Sequence, residues 1–243
     1  MAIKLFADGA AMDGIIKAAE NPNIVGFTTN PTLMRQAGVT DYEKFAKSAI
    51  AYLARSRPDT CLSLEVFADD FPTMLAQARK ISDWADEKDY KVYVKIPAVN
   101  TKGATTQNLV EQLNKEHIKV NVTAVFTPAQ IKSFIECVHT NTPMIISIFA
   151  GRIADAGVDP VSIIQIAREY WDAYPVQGLV EFLWASPREV YNYIQAEQCG
   201  CDIITMTPEL IAKMKNFGKD LTDYSRETVE MFYRDAVCSG FNI

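Results

Sequence analysis

The chain has 243 residues, of which 49% are hydrophobic and 22% are charged, so it can build a large core and is not expected to be disordered. Its net charge of −6 argues against a nucleic-acid partner, although a small anion can still bind in a locally basic pocket. No basic stretch leads into an apolar run at the N-terminus, and no segment approaches about 18 uncharged apolar residues. We therefore expect a cytoplasmic protein that does not interact with membranes.

The cysteines and histidines do not form a recognisable metal motif. The five cysteines are an odd number and lack the C-x-x-C spacing that zinc and redox sites favour. Cys199 and Cys201 are the one close pair, and no histidine or second pair accompanies them. His117 and His139 lie in or beside polar helical stretches and are interpreted as surface residues. We expect reduced thiols and no metal site.

Short apolar runs alternate with amphipathic stretches along the chain, which is typical of parallel βα units. The predicted strands are Ile3 to Gly9, Val25 to Thr29, Cys61 to Ala68, Lys91 to Pro97, Lys119 to Phe126, Met144 to Ala150, Gly178 to Ala185 and Asp202 to Met206. The predicted helices include Phe71 to Asp89, Thr105 to His117, Thr127 to His139, Pro160 to Tyr174, Pro187 to Gln198 and Pro208 to Lys215.

Eight strands covered by helices predict an α/β fold, a closed (β/α)8 TIM barrel with its functional residues at the C-terminal strand ends. An open doubly wound sheet is the alternative, and it usually binds nucleotides through a glycine-rich first turn. Neither GxGxxG nor GxxxxGK[ST] occurs, so a nucleotide site has no support. We predict one domain over residues 1–243. Its last helix, at about 221–242, packs either on the barrel or on a neighbouring subunit.

Alternation within the predicted strands separates outward from inward side chains. Because the apolar parity faces the helices, the other parity faces the barrel interior. The inward set is Phe6, Asp8, Ser63, Glu65, Phe67, Tyr93, Lys95, Asn121, Thr123, Ser147 and Phe149. Burying an unpaired ionisable group costs several kcal/mol, so a lysine and two carboxylates inside a barrel indicate groups that pair with one another or perform chemistry.

Lys95 is the centre of the functional hypothesis. A desolvated amine loses its proton more easily, and the neutral amine can attack a ketone carbonyl to form an imine. The imine accepts the electron pair when the neighbouring carbon–carbon bond breaks, so no metal or organic cofactor is required. Proton transfer needs general acid/base groups, and Asp8 and Glu65 are the available carboxylates.

Several segments resemble one enzyme family. Residues 26–33, GFTTNPTL, resemble the Thr-[Ser/Thr]-Asn-Pro signature of transaldolases, and residues 94–97, VKIP, resemble the segment around their active-site lysine. Further matches, all in family order, are FAD at 6–8, SLEV at 63–66, NVT at 121–123, SIFAGR at 147–152 and ASPR at 185–188. The resemblance covers nearly the whole chain.

The resemblance implies a role for each matching residue. Lys95 would form the Schiff base, and Asp8 would accept a hydroxyl proton during cleavage. Glu65, with Thr123, would position a catalytic water and shuttle protons. The implied substrate-binding residues are Thr28, Asn30, Asn121, Ser147 and Phe149 around the dihydroxyacetone unit, and Arg152, Ser186 and Arg188 around the phosphate.

The family also includes fructose-6-phosphate aldolases, which use the same lysine but release free dihydroxyacetone. These aldolases resemble the chain in length, but they carry Gln in place of Glu65 and Tyr in place of Phe149, so both positions match transaldolases. Pro187 departs from the aromatic residue usual before the phosphate-binding arginine.

The resemblance therefore implies transfer of a dihydroxyacetone unit between sugar phosphates, without a cofactor. It also implies a homo-oligomer, either a dimer or a pentamer or decamer. A catalytically silent barrel that binds sugar phosphates is the remaining alternative, because folds are reused for other functions.

Overall fold

A computed structural model of the protein describes residues 2–138, 141–175 and 180–243. Its parallel strands hydrogen-bond in chain order and the last pairs with the first, so the sheet closes into a barrel. The strands are β1 Lys4–Asp8, β2 Ile24–Thr28, β3 Cys61–Glu65, β4 Lys91–Pro97, β5 Val120–Val125, β6 Met144–Ile148, β7 Val180–Trp184 and β8 Ile203–Met206. The predicted (β/α)8 barrel is confirmed.

Helices follow the strands. They are α1 Met12–Ala19, α2 Pro31–Gln36, α3 Tyr42–Ser56, α4 Phe71–Asp86, α5 Gln107–Lys115, α6 Pro128–Ile135, α7 Ala150–Asp155, α8 Pro160–Asp172, α9 Asn192–Gln198, α10 Pro208–Lys213 and α11 Leu221–Ser239, with a 3-10 turn at Met214–Asn216. His139 and the first two residues of the predicted seventh strand lie outside the described residues. No described helix is both long enough and apolar enough to cross a membrane.

Side chains and prolines start many of these helices. The Asp41 and Asp70 carboxylates accept hydrogen bonds from the backbone of the first turns of α3 and α4. Thr127 and Gln130 form a reciprocal capping box at the start of α6. Proline occupies the first turn of α2, α4, α6 and α8, where its missing N–H costs nothing.

Several predicted boundaries are wrong: the helices predicted to end at Asp89 and His139 end at Asp86 and Ile135. The helix predicted from Pro187 begins at Asn192, because the Asn192 carboxamide accepts the backbone N–H groups of Arg188 and Glu189 and holds them in a turn. Phe67, predicted to face the barrel interior, is 60% exposed and its ring lies 5.1 Å from the ring of Tyr42. The strand ends at Glu65, so alternation no longer governs residue 67.

An apolar cluster, here called the plug, fills the lower part of the barrel interior. It consists of Phe6, Cys61, Tyr93, Ile145, Leu183, Ala185 and Ile203. Phe6 and Tyr93 each lie two residues before an inward polar residue, Asp8 and Lys95 respectively. Gly26 makes room for the plug, since a Cβ there would come within 2.5 Å of the Phe6 ring. The polar groups therefore lie above an apolar floor, towards the C-terminal strand ends.

The chain forms two compact units. The first contains the barrel and ends at Ile211, and the second runs from Ala212 to Ile243 and contains α11. The Asp220 carboxylate caps the start of α11, and Gly240, with φ of 65°, ends it in the left-handed conformation typical of helix C-caps. The predicted terminal helix is confirmed, while its packing partner stays a prediction.

Candidate active site

Lys95 lies on the inner face of β4 and is only 6% exposed. Its Nζ donates a hydrogen bond to the backbone carbonyl of Thr29 at 2.8 Å and lies 3.1 Å from Oε2 of Glu65. Glu65 is the register partner of Lys95 on β3, so strand pairing places the two groups side by side. Tyr42 donates a hydrogen bond of 2.7 Å to the backbone carbonyl of Glu65 and fixes this strand end. The buried amine thus has a carboxylate within hydrogen-bonding distance.

Asp8 ends β1 and approaches the same interior. Its Oδ1 accepts a hydrogen bond of 2.7 Å from the Thr28 hydroxyl. Burial raises the pKa of Asp8 above its ordinary value, and the charge of Glu65 acts in the same direction, whereas Lys95 and the Thr28 hydrogen bond oppose the shift. A carboxylate that takes up a proton more readily than an exposed aspartate is suited to accepting one from a substrate hydroxyl.

Thr123 carries a buried hydroxyl that lacks a hydrogen-bond partner within the described residues. The residue lies on β5, two positions beyond Asn121, which is the register partner of Lys95. Buried hydroxyls are normally satisfied, so this oxygen is available for a water or a substrate oxygen. Its role in holding a water stays a prediction.

Asn121 links two serines inside the barrel. Its Oδ1 accepts a hydrogen bond from Ser147 at 2.7 Å, and its Nδ2 donates to Ser63 at 3.1 Å. The carboxamide carries a second N–H, which can serve a substrate oxygen. Asn30 is partly committed elsewhere, because its Oδ1 caps α2 by accepting the backbone N–H of Leu33 at 2.9 Å.

The residues expected to bind phosphate meet at Gly151, on the segment that starts α7. The backbone carbonyl of Ser186 and the Arg188 side chain both approach this glycine. The Arg152 guanidinium lies 5.6 Å from the centre of the Phe149 ring, which packs against the plug. Both arginines are exposed, as a site for an incoming anion requires.

Arg188 has a partner that the sequence motif did not indicate. Its Nε lies 3.0 Å from Oδ2 of Asp155 on α7, and its Nη2 also binds that carboxylate. The hydrogen bond from Arg188 lowers the pKa of Asp155, and the charge of Arg152 acts in the same direction. One predicted phosphate ligand is therefore already paired with an acidic side chain.

Alternation along β8 could have identified a further inward residue. Thr205 has the same parity as Ile203, which belongs to the plug, and it is 5% exposed. Its hydroxyl hydrogen-bonds to that of Thr28. Thr205 therefore belongs to the polar interior.

Comparison with known proteins identifies relatives of this chain. The family model for Transaldolase/Fructose-6-phosphate aldolase matches residues 5–242. The chain belongs to this family. Its relatives include a "Probable transaldolase" from Dehalococcoides mccartyi strain 195, 31% identical over 87% of this chain and 90% of the relative. Another "Probable transaldolase", from Ruegeria sp. strain TM1040, is 30% identical over 99% of this chain and all of the relative.

Solved structures support the same fold. The YdjI aldolase from Escherichia coli K12 superimposes with a TM-score of 0.53 at 12% identity, covering 93% of this chain and 85% of that one. At that identity the likeness concerns the barrel alone. Membership of the transaldolase/fructose-6-phosphate aldolase family supports an enzyme of the aldolase type.

Proposed function

We propose that the chain is a transaldolase. It moves a dihydroxyacetone unit from sedoheptulose 7-phosphate or fructose 6-phosphate to glyceraldehyde 3-phosphate or erythrose 4-phosphate through a Schiff base on Lys95. The proposal rests mainly on one cluster of charged groups: the buried Lys95 amine lies 3.1 Å from Glu65, and the charges of both residues affect the pKa of Asp8. Together these groups supply a nucleophile and two proton carriers.

Imine formation uses Lys95 and Glu65. Glu65 takes a proton from Lys95, and the neutral amine adds to the C2 carbonyl of the ketose. The resulting carbinolamine loses its hydroxyl as water after protonation and becomes a protonated imine. Thr123, whose hydroxyl is unpaired within the described residues, is assigned to hold that water with Glu65.

Carbon–carbon cleavage uses Asp8. The carboxylate takes the proton from the C4 hydroxyl while the C3–C4 bond breaks, and the bonding pair moves into the imine to give an enamine. The shortened aldose leaves. The enamine carbon then attacks the carbonyl carbon of the acceptor, whose oxygen takes the proton from Asp8, and water hydrolyses the new imine to free Lys95.

The phosphate is assigned to Arg152, Ser186 and Arg188. Arginine presents a planar set of N–H donors that matches a phosphate, and its charge is permanent. Asn30, Asn121, Ser147 and Thr28 are assigned to the hydroxyl groups of the three-carbon unit. Asp155 already binds one edge of Arg188, so the phosphate would use the remaining donors or displace the carboxylate.

Fructose-6-phosphate aldolase is the second candidate because the family contains both activities. Two side chains favour transfer over release. Glu65 is a carboxylate rather than an amide, and Phe149 has no phenol with which to protonate the enamine. Without that proton the enamine persists until an acceptor aldehyde arrives.

Borohydride trapping tests the proposal. Reduction in the presence of fructose 6-phosphate should leave one three-carbon adduct on the peptide that contains Lys95, detected by mass mapping. Lys95→Ala should fold, but it should form no adduct and have no turnover. The control Lys91→Ala, at an exposed position of the same strand, should still form the adduct and turn over substrate. An unmodified Lys95 peptide would contradict the mechanism, and rapid steady-state release of dihydroxyacetone without acceptor would favour the aldolase.

Light scattering would test the expected homo-oligomer.

A further inference from the structure

Three side chains from three strands form a chain of hydrogen bonds beside the proposed site. Thr205 on β8 contacts Thr28 on β2, and Thr28 contacts Asp8 on β1. Strand β1 lies between the other two strands, with Thr28 in register opposite Asp8 and Thr205 opposite Phe6. Thr205 and Thr28 are 5% and 3% exposed, so these hydrogen bonds are shielded from bulk water.

A hydroxyl can donate only one hydrogen bond, and this determines which threonine donates to the other. Each threonine hydroxyl has one proton to donate. Thr28 uses its proton on the Asp8 carboxylate, at 2.7 Å. Its contact with Thr205 must then be one in which Thr205 donates and Thr28 accepts. With Thr205 as the donor, the Thr28 oxygen accepts that bond while its own proton stays on Asp8.

Donation to Thr28 also strengthens the bond that Thr28 makes. Hydrogen bonds in series polarise one another, by roughly 10–30% per bond in condensed-phase estimates. A stronger bond from Thr28 favours the ionised form of Asp8. The other charged groups that act on Asp8 are Lys95 on β4, which also favours ionisation, and Glu65 on β3, which opposes it.

We propose that Thr205 is a positioning residue: it holds Thr28 as a donor to Asp8 and thereby sets how readily Asp8 takes up the substrate proton. The inference rests on the proposed function, in which Asp8 is the proton acceptor. Thr205 contacts Thr28. It acts on Asp8 only through Thr28.

Thr205→Val tests the proposal because valine keeps the shape of threonine and removes the hydroxyl. Without the donor, Asp8 is harder to ionise. The acid limb, the part of the pH profile where kcat/KM falls as pH decreases, should therefore move to higher pH by about 0.5 unit. At a fixed pH on that limb, kcat/KM should fall roughly two- to fivefold. Thr205→Ser restores the hydroxyl and should return the limb to its wild-type position. An unmoved limb in Thr205→Val, or an equal shift in Thr205→Ser, would overturn the proposal.

A matched control separates positioning from stability. Thr60 is 1% exposed and its hydroxyl bonds to Tyr90 at 2.8 Å, away from the site. Thr60→Val should lower the melting temperature and leave the acid limb in place. If Thr60→Val moved the limb as far as Thr205→Val does, loss of any buried hydroxyl would explain the effect.

A measurement that needs no turnover keeps the inference separate from the function. Carbon-13 NMR of aspartate-labelled protein, with the Asp8 signal assigned from Asp8→Asn, reports ionisation directly. Asp8 should titrate at higher pH in Thr205→Val than in wild type. An identical titration would refute the role of Thr205, whereas a shifted titration in a protein without transfer activity would refute the proposed function alone.

Discussion

The backbone carbonyl of Ser186 occupies the space that a side chain on Gly151 would need. An ideal Cβ on Gly151 would lie 1.5 Å from that oxygen. Ser186 itself has φ of 60°, a left-handed conformation that is uncommon for a residue other than glycine. This close approach joins the end of β7 to the start of α7 and brings Arg188 towards Arg152.

Replacing Gly151 by alanine should therefore separate the two segments. We expect Gly151→Ala to raise KM for a phosphorylated donor at least about tenfold and to lower the free energy of unfolding by about 1–3 kcal/mol, as overpacking commonly does. Steady-state kinetics and urea unfolding would measure both. Gly14→Ala is the control, because its Cβ would meet only the Ala11 Cβ at 3.9 Å and α1 should gain stability. Unchanged KM in Gly151→Ala would argue against a phosphate subsite here.

Asp155 should weaken phosphate binding, because it occupies N–H donors of Arg188 and adds a negative charge. Asp155→Asn frees the guanidinium and should lower KM for a phosphorylated donor by up to about fivefold, the scale of an exposed ion pair. The KM of a donor without phosphate should not change. An increased KM for the phosphorylated donor would instead mean that Asp155 holds Arg188 in its binding position.

Phe149 should determine whether the three-carbon unit is transferred or released. Phe149 lies at the start of α7, and the centre of its ring is 5.7 Å from the centre of the Phe126 ring. Phe149→Tyr would supply a phenolic proton to the enamine, so release of dihydroxyacetone without acceptor should rise at least about tenfold, within the range expected of general acid catalysis. Phe126→Tyr places a phenol on the neighbouring ring and should leave release low. Equal release from both variants would remove position 149 as the determinant.

Asp8 should make the stability of the protein depend on pH. The pKa of Asp8 is raised in the folded protein. Its contribution to the free energy of unfolding is therefore fully present below the ordinary pKa of 3.8, and it is lost as pH rises through the folded pKa. Asp8→Asn cannot ionise, so it should unfold at a higher urea concentration than wild type at pH 7 and lose that advantage near pH 3.

Asp59 provides a control of opposite sign. The hydrogen bond from Arg57 lowers the pKa of Asp59, so its contribution is present above the ordinary pKa and is lost as pH falls. Asp59→Asn should therefore be less stable than wild type at pH 7, with a difference that disappears in acid. A pH-independent difference for Asp8→Asn would contradict the raised pKa.

The barrel and its inward polar residues could be predicted because both follow from a short-range pattern. Alternation placed Lys95 and Glu65 inside, and strand pairing then made them neighbours. The same rule applied to β8 would have found Thr205. It failed at Phe67, where the strand had already ended.

The remaining features depend on contacts between segments that the local pattern does not encode. The pairing of Asp155 with Arg188 joins two exposed residues that are 33 positions apart. The late start of α9 depends on the Asn192 side chain, which competes with helix formation in the preceding turn. Sequence motifs identified the arginine but carried no information about its acidic partner.

The plug fills the barrel interior below Lys95, so a reaction centred on that amine would be reached from the C-terminal strand ends. In the proposed transaldolase reaction, the donor sugar, the water expelled from it, the departing aldose and the incoming aldose would all pass through that end of the barrel. The departing aldose would then leave the site before the incoming aldose takes its place. The shape of the barrel floor would thus impose an alternating order of arrival and departure on the reactants.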